Sequence, residues 1–299
     1  MNQPLVSIII PSYKNLDKIE RAINSAVNQT YKNIEIIVVD DNGKGNSFQL
    51  ETEKIVLAID DDRIRYVVND KNSERSFSRN NGALHSNGEY LAFLDNDDEF
   101  YPKKIESQLE ELQKHDMSYA ICYSNYIRDR EGKIVCYNAE IREGNLIYDA
   151  LCRNLFVHAG SNLLIKREAF EKVNGFNESL NINEDIDFLV RLLKTYKICY
   201  SSELGLIVYL HGKNTLNYIS ETEKYIRTEK QIIEELSETE KKRFYNLIGL
   251  QLIRCAAFND IKLIKQIKKQ YNVSSSAIIK YLFYLVKRAR KKQAYSFRF

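Results

Sequence analysis

Short apolar runs alternate with stretches of helical spacing over residues 1–118. The runs Leu5–Ile10, Ile34–Val39 and Ile64–Val68 are rich in β-branched residues, which predicts buried strands of a parallel sheet. The segments around these runs predict helices over Leu16–Gln29, around Phe48–Asp60, around Ser76–Ser86 and over Pro102–His115. Parallel strands joined by helices form right-handed βαβ units. This order predicts an α/β fold with a mostly parallel, Rossmann-like central sheet and flanking helices.

A further apolar run delivers a cluster of polar residues to the end of its strand. Tyr90–Leu94 is followed directly by Asp95, Asn96, Asp97 and Asp98. Three carboxylates packed together raise one another's pKa, so a divalent cation between them stabilises the cluster. Mg²⁺ or Mn²⁺ keeps one or two carboxylates and fills its other positions with water and phosphate oxygens. A second interpretation is an acidic turn that bonds to its own backbone before a proline-initiated helix.

Two other strands of the predicted sheet also end in polar loops. Residues Ser12–Asn15 follow the first strand, and Asp40–Gly43 follow the second. Ligands of open parallel sheets bind at the carboxyl ends of the strands, where all three loops converge. This convergence favours a metal-and-diphosphate site over an isolated acidic turn.

The regular alternation loosens from about Tyr119 onward. The part that follows is predicted to form the wall that holds a second substrate, and the chain after Tyr218 is helical in composition. The predicted elements are strands at Ile121–Tyr126 and Ile134–Tyr137, a turn and strand within Val157–Glu168, a helix Glu184–Lys194 with its N-cap at Asn183, strands at Lys197–Ser201 and Leu204–Tyr209, and C-terminal helices broken near Ser237, Asn259 and Asn272. We therefore expect a main domain over 1–215, with halves 1–118 and 119–215, and a helical region over 216–299.

The last predicted helix is amphipathic and ends in a basic segment. Apolar residues dominate Ala277–Val286, and basic residues dominate Lys287–Lys292. Such a helix suits the surface of an anionic membrane, here through residues 277–299. It equally suits packing on its own domain with the basic end in solvent. The sequence leaves both interpretations open.

Composition excludes several classes of protein. The 44 basic and 41 acidic residues nearly balance, so the chain as a whole is not expected to bind nucleic acid. Five widely spaced cysteines without a C-x-x-C pair indicate the reduced thiols of a cytoplasmic protein. No leader sequence and no apolar run of about 18 residues is predicted, which indicates a soluble protein or one attached peripherally to the inner face of the plasma membrane. A homo-oligomer stays compatible with the sequence.

Six motifs occur in a specific order along residues 5–212. They read V-S-I-I-I-P-S-Y at 6–13, A-V-N-Q-T-Y-K-N-I-E-I-I-V-V-D-D-N at 26–42, S-R-N-N-G-A at 78–83, G-E-Y-L-A-F-L-D-N-D-D at 88–98, G-F-N-E at 175–178 and N-E-D-I-D-F-L-V-R at 183–191. Their order closely resembles the family 2 glycosyltransferases of GT-A fold, and it is far more specific than any single motif. The resemblance implies a GT-A domain, and it does not cover the C-terminal helices, which vary in this family.

The resemblance implies a site for a uridine diphosphate (UDP) sugar. The uracil base is expected near Pro11, Ser12 and Tyr13, where the tyrosine ring offers a face for stacking. Asp41 is expected to accept a hydrogen bond from the uracil N–H. Arg79 supplies a fixed positive charge close to the nucleotide or to the acidic cluster.

The acidic cluster matches the D-x-D motif of the resembled family. Asp95 is expected toward the ribose and among the metal ligands, with Asn96 in the donor site. Asp97 is expected to be the main ligand of Mn²⁺ or Mg²⁺, and Asp98 to hold that ligand in place. His211 follows the last core strand, where many members carry a histidine near the diphosphate or the metal. The alternative for His211 is a hydrogen-bonded structural residue.

The resemblance also assigns residues to the acceptor side. An inverting enzyme needs a base to remove the proton of the acceptor hydroxyl, and the E-D pair of the family makes Asp185 that base with Glu184 beside it. The alternative is that both acids only complement the N-terminus of their helix. Because the chain has no tryptophan, a tyrosine or a phenylalanine such as Phe156 or Phe176 would have to stack on the acceptor sugar, and His158 is a candidate for the pocket wall.

The resemblance implies a metal-dependent inverting transferase. It would move a hexose or N-acetylhexosamine from a UDP-sugar to a hydroxyl of a glycan or lipid-linked acceptor in bacterial surface polysaccharide synthesis. One alternative is a nucleotidyltransferase, which normally has a glycine-rich phosphate loop after the first strand, and P-S-Y-K-N at 11–15 lacks it. Another alternative is a non-catalytic sugar-binding protein on the same fold.

Overall fold

The first half of the chain forms a parallel sheet with helices packed on it. The computed structural model describes residues 3–210, 218–256 and 261–297. Strands β1 (Val6–Ser12), β2 (Ile34–Asp40) and β3 (Ile64–Val68) lie side by side in parallel, and β4 (Tyr90–Phe93) pairs in parallel with the other edge of β1. The connecting helices are α1 (Leu16–Val27), α2 (Ser47–Leu57) and α3 (Glu74–Leu84). The elements predicted for this half are confirmed, with shifts of a few residues at their ends.

The hydrophobic pattern of β1 explains its central position in the sheet. Val6, Ile8 and Ile10 are fully buried in the cluster that contains α1, and Ile9 is fully buried in the cluster on the opposite face. Strands β2 and β3 lie on one side of β1 and β4 lies on the other. The carboxyl ends of β1 and β4 therefore flank the point where the strand order reverses, and open sheets bind ligands at this point.

Helix α3 packs very close to the sheet. A Cβ atom at Gly82 would collide with the side chain of Ile9 and would come within 3.0 Å of Val39 Cγ2. Glycine at this position therefore allows an approach that a side chain would prevent. The approach brings Arg79, one turn earlier on α3, within reach of the loop that follows β4.

The segment 99–209 extends the sheet with strands of mixed direction. Its elements are β5 (Glu99–Phe100), α4 (Lys104–Gln113), β6 (Tyr119–Arg130), β7 (Lys133–Asn138), α5 (Ile147–Leu151), α6 (Ala159–Asn162), β8 (Leu164–Lys166), α7 (Arg167–Lys172), α8 (Glu184–Leu193) and β9 (Lys197–Tyr209). Strand β8 lies between β4 and β6 and is antiparallel to both. Strand β9 unites the two strands predicted at Lys197–Ser201 and Leu204–Tyr209, because its parallel pairing with β6 continues across a register shift.

The C-terminal region is helical and returns to the sheet at its end. It consists of α9 (Tyr218–Thr228), α10 (Lys230–Glu235), α11 (Glu238–Ala256), α12 (Ile261–Gln270), α13 (Ser275–Lys291) and β10 (Gln293–Ala294). The predicted breaks near Ser237 and Asn272 are confirmed, and Asn259 lies outside the described residues. Strand β10 pairs in parallel with β7, so the order of the main path is β10-β7-β6-β8-β4-β1-β2-β3. The sequence pattern did not predict β10.

Helix α13 has one buried face and one exposed face. Ala277 and Tyr281 belong to the large hydrophobic cluster that also includes β-strand and α8 residues. The exposed large apolar side chains of α13 are Ile279, Leu282, Phe283 and Val286, with Phe283 72% exposed. The helix therefore packs on the rest of the chain and also presents an apolar stripe to solvent. Among residues 3–210, 218–256 and 261–297, no helix is long and apolar enough to cross a bilayer.

Candidate active site

A pocket of about 410 Å³ lies at the carboxyl ends of β1, β2 and β4, and we call it the edge pocket. Its volume falls within the roughly 300–1,000 Å³ that is typical of small-molecule sites. The residues that sequence reasoning assigned to the site and that line this pocket are Pro11, Ser12, Tyr13, Asp41, Asp95, Asn96, Asp97 and Glu184. Folding therefore brings the polar ends of three separate strands into one polar pocket.

Asp41 is held in place through one of its two carboxylate oxygens. Its Oδ1 accepts hydrogen bonds from Asn69 Nδ2 at 2.7 Å and from the backbone N–H of Ser73 at 2.9 Å. Its Oδ2 has no hydrogen-bond partner among the described residues, although only 3% of the residue's surface is exposed. A carboxylate oxygen of this kind at a pocket wall favours a ligand that donates an N–H.

Tyr13 and Asn96 contribute to the edge pocket in different ways. The Tyr13 side chain is 40% exposed, so one of its faces is open to a ligand. The amide of Asn96 joins two loops instead: its oxygen accepts from Asn15 Nδ2 at 2.9 Å, and its nitrogen lies 3.5 Å from Ser12 Oγ. This amide therefore fixes the loop after β4 against the loop after β1.

Three carboxylates gather directly after β4. Oxygen atoms of Asp95, Asp97 and Asp98 lie within 4.8 Å of one another, and we call these residues the acidic cluster. Carboxylate oxygens are the ligands that Mg²⁺ and Mn²⁺ prefer, so the cluster fits a divalent cation. Asp98 is buried and already engaged, because it accepts from the backbone N–H of Tyr209 at 3.3 Å and contacts His158 Nε2 at 3.2 Å.

Arg79 is fully buried and neutralises one member of the acidic cluster. Its Nη2 donates to Asp95 Oδ1 at 2.6 Å, and its Nη1 donates to Glu184 Oε1 at 3.2 Å. Burial acts to raise the pKa of Asp95, but the charges of Arg79 and Arg75 outweigh it and hold that pKa well below its ordinary value. Asp95 is therefore ionised, and two arginines compensate its charge.

Sequence reasoning missed Arg75, which lines the edge pocket beside Arg79. Its Nη1 lies 3.5 Å from Glu184 Oε1 and 4.0 Å from Asp95 Oδ2, and its side chain is 59% exposed. An exposed guanidinium at a pocket wall suits a phosphate group. The spacing of four residues places Arg75 and Arg79 on one face of α3, but the predicted helix around Ser76–Ser86 began too late to include Arg75.

Glu184 and Asp185, the E-D pair at the start of α8, lie in different environments. Glu184 lines the edge pocket and contacts the two arginines, whereas Asp185 is half-buried and lies just outside the pocket lining. Burial first and the charge of Asp185 second raise the pKa of Glu184, although Arg79 and Arg75 oppose them. Asp185 Oδ1 accepts from the backbone N–H of Ile186 at 2.9 Å, and no ion pair among the described residues involves Asp185. Asp185 therefore differs from Glu184, which contacts both arginines.

The residues that were predicted to bind the acceptor lie in different parts of the structure. His158 lies beside the acidic cluster in a left-handed backbone conformation (φ 55°), with its ring near that of Tyr126. Phe176 is 2% exposed and stacks on Phe188 at 4.1 Å, which contradicts the prediction that its ring stacks on a sugar. Its ring instead supports the Arg79 guanidinium at 4.9 Å. His211 lies outside the described residues.

Phe156 lies away from the edge pocket. Its ring contacts the guanidinium of Arg288 at 4.5 Å, and both residues line a second, smaller cavity next to the C-terminal helices. Phe156 therefore belongs to the second cavity and does not line the edge pocket.

Comparison with known proteins identifies the family of the chain. A family model described as glycosyl transferase family 2 matches residues 7–173, which is more than half of the chain. The chain belongs to glycosyl transferase family 2. An uncharacterized glycosyltransferase of Rickettsia conorii is 34% identical over 85% of this family 2 chain. The alignment covers 42% of that relative, so the chain spans less than half the length of this curated relative.

Another family 2 relative has a name that states its reaction. It is the UDP-Glc:alpha-D-GlcNAc-diphosphoundecaprenol beta-1,3-glucosyltransferase WfgD of Escherichia coli, which is 26% identical over 85% of this chain and 94% of its own length. Among solved structures, S. aureus TarS 1-349 in complex with UDP-GlcNAc is similar with a TM-score of 0.64 and 16% identity, over 96% of this chain and 87% of TarS 1-349. This likeness confirms the predicted GT-A fold.

Membership of family 2 and the names of these relatives support a glycosyltransferase over a nucleotidyltransferase.

Proposed function

We propose that the chain is a metal-dependent, inverting transferase that uses a UDP-sugar donor. The sugar is a hexose or N-acetylhexosamine, and the acceptor is a hydroxyl of a glycan or lipid-linked saccharide in bacterial surface polysaccharide synthesis. The observation that carries the proposal is the acidic cluster at the wall of the edge pocket, opposite a partly unpaired Asp41. The names of the compared proteins support it, since TarS binds UDP-GlcNAc and WfgD uses a UDP-sugar donor.

The edge pocket offers complementary groups to each part of such a donor. The base stacks on Tyr13 and donates its N–H to Asp41 Oδ2, which keeps a free lone pair for it. The diphosphate lies near Arg75, whose exposed guanidinium can bind phosphate oxygens with two parallel hydrogen bonds. Asp97 and Asp95 would hold Mn²⁺ or Mg²⁺, whose charge offsets the charge of the leaving diphosphate.

Asp185 acts as the base in this proposal. Its carboxylate removes the proton from the acceptor hydroxyl as that oxygen attacks the anomeric carbon from the face opposite the diphosphate. The bond between the anomeric carbon and the phosphate oxygen breaks, and UDP leaves with the electron pair. Glu184 stays fixed by Arg79 and Arg75 and holds the start of α8 against the donor.

Calorimetric titration with UDP tests the donor assignment. We expect UDP to bind the purified protein in the presence of Mn²⁺ and to bind far more weakly when EDTA removes the metal. Without the metal, the negative charges of the diphosphate and of the acidic cluster repel each other. GDP and ADP serve as matched nucleotides, and hydrolysis of a panel of UDP-sugars identifies the sugar. Absence of UDP binding in both conditions would contradict the proposal.

We further propose that α13 attaches the enzyme to an anionic membrane surface. Its apolar stripe, defined as Ile279, Leu282, Phe283 and Val286, is exposed along one face of the helix. The basic residues beside the stripe are Lys280, Lys287, Arg290 and Lys291. An exposed apolar stripe with a basic flank complements an anionic bilayer.

Binding to vesicles tests this attachment. Replacing Leu282 and Phe283 together by Asp is expected to weaken binding to phosphatidylglycerol vesicles by about tenfold or more, since burial of each side chain in the bilayer contributes roughly 1.5–3 kcal/mol. Leu57→Asp, at another exposed apolar position far from α13 in the chain, is the matched control. Equal vesicle binding by all three proteins would show that α13 does not contact lipid.

A further inference from the structure

A second cavity, of about 180 Å³, lies between the start of α8 and the C-terminal helices. Three arginines line it, Arg153, Arg254 and Arg288, and we call it the arginine cavity. Its lining also contains aromatic rings and amides, and its described part includes no acidic side chain. No ion pair among the described residues joins any of the three arginines to a carboxylate. Among the residues that the structure describes, the cavity therefore concentrates positive charge without a carboxylate to compensate it.

Arg153 is the most constrained of the three arginines. Its Nε donates to Gln251 Oε1 at 3.0 Å, and its Nη1 donates to Asn183 Oδ1 at 3.2 Å and to Thr222 Oγ1 at 3.1 Å. All three partners are neutral. Its Nη2 is buried and has no hydrogen-bond partner among the described residues. A buried charged donor without a partner is costly, and a bound anion would satisfy it.

The other two arginines complete the positive wall. Arg288 Nη1 donates to Tyr284 Oη at 3.1 Å, and its guanidinium lies over the Phe156 ring. Arg254 is exposed, lines the cavity and bonds to Cys255, and no ion pair among the described residues joins it to a carboxylate. Stacking on aromatic rings accounts for the position of Arg288, but it does not neutralise the charge of the group.

The arginine cavity lies next to the proposed base. Asn183 and Ile186 line the arginine cavity, and Glu184 lines the edge pocket. Asp185 lies between them in the chain, so the base stands at the boundary of the two spaces. A group bound among the arginines would therefore belong to the acceptor, whose hydroxyl must reach Asp185.

Helix α13 connects this cavity with the proposed membrane surface. Its inner face contributes Tyr281, Tyr284 and Arg288 to the cavity, and its outer face carries the apolar stripe. An acceptor anchored in lipid could enter beside α13 and place its charged linkage among the arginines. The cavity is smaller than the roughly 300–1,000 Å³ of a typical ligand pocket, which suits a compact anionic group.

We propose that the arginine cavity binds the diphosphate group of a lipid-linked acceptor while the acceptor sugar extends to Asp185. Planar guanidinium groups bind phosphate oxygens with two parallel hydrogen bonds, and a diphosphate carries enough charge to neutralise several of them. This inference rests on the proposed function, because it assumes that the sugar donor occupies the edge pocket.

Calorimetric titration with farnesyl diphosphate tests the inference. The buffer contains EDTA, so that the acidic cluster cannot bind the diphosphate through a metal, and farnesol is the uncharged matched ligand. We expect Arg288→Gln and Arg254→Gln each to weaken farnesyl diphosphate binding about tenfold or more, as expected for loss of a charged hydrogen bond. Arg130→Gln, at an exposed position at the end of β6, controls for general loss of positive charge. Arg75→Gln reports binding in the edge pocket instead.

Each outcome of this titration distinguishes the alternatives. Weakening by Arg288→Gln and Arg254→Gln, with Arg75→Gln and Arg130→Gln unchanged, supports the inference. Weakening by Arg75→Gln alone, equal binding by all variants, or equal binding of farnesol would overturn it. Preferential binding of a glucuronate-containing oligosaccharide over farnesyl diphosphate would also overturn it in favour of a carboxylate ligand. UDP titration of the same preparations with Mn²⁺ tests the donor site independently, so the two proposals can fail separately.

Discussion

Asp185→Asn is expected to lower the rate of sugar transfer by about 10²–10⁴-fold while leaving UDP binding intact. The carboxamide keeps the size of the side chain and can still accept from the backbone N–H of Ile186, but it cannot take a proton from the acceptor hydroxyl. Because Asp185 makes no ion pair among the described residues, the substitution leaves no buried charge unpaired. Steady-state transfer, once a donor sugar is identified, measures the loss, and calorimetry with UDP and Mn²⁺ measures donor binding.

Asp62→Asn is the matched control for this substitution. Asp62 is an exposed acid in the loop before β3, outside the lining of the edge pocket. The Asp62→Asn variant should transfer sugar at the wild-type rate. Near-normal transfer by Asp185→Asn would exclude Asp185 as the base, and the role of both acids at the start of α8 would then be to complement the helix N-terminus.

Asp97→Ala is expected to abolish the dependence of UDP binding on Mn²⁺. Asp97 lines the edge pocket and belongs to the acidic cluster, so we expect the metal to depend on its carboxylate. Loss of a residue that hydrogen-bonds to a metal ligand lowers metal affinity by about 10–100-fold. Loss of a direct ligand should weaken Mn²⁺ binding by at least as much. Titration of each protein with Mn²⁺ and then with UDP measures both effects without an activity assay.

Asp60→Ala controls for the loss of one acidic side chain at an exposed position. Circular dichroism confirms that each variant is folded. If Asp97→Ala bound UDP with the wild-type response to Mn²⁺, Asp97 would not be a metal ligand. Arg75 and Arg79, which contact Asp95, would then be the main phosphate-binding groups.

Much of the first half of the molecule could be predicted from local patterns. The β-branched run of β1 and the carboxylates after β4 lie in short segments, and strand formation and position at the sheet edge follow from those segments. Helical spacing likewise predicted α1, whose apolar positions recur on one face. The order of the motifs along the chain indicated the family, which a single motif could not indicate.

The second half was less predictable because its elements depend on partners far away in the chain. Strand β10 has only two residues and no recognisable pattern, and it exists because it pairs with β7. The ring of Phe176 resembles an acceptor aromatic in sequence, but tertiary packing buries it between Phe188 and Arg79. Hydrophobic character alone does not reveal whether an aromatic ring faces a pocket or the core.

The sequence by itself determined the α/β pattern of the first half, the convergence of polar loops on one edge of the sheet, and the residues that match the family motifs. Only the tertiary structure decided which charges compensate one another and which remain unpaired. Arg79 reaches Asp95 because glycine lets α3 approach β1, and Arg153 meets Arg288 at one cavity although they lie on separate elements. Periodicity reports the face on which a side chain lies, whereas the partner of that side chain is set by the packing of elements that are distant in the chain.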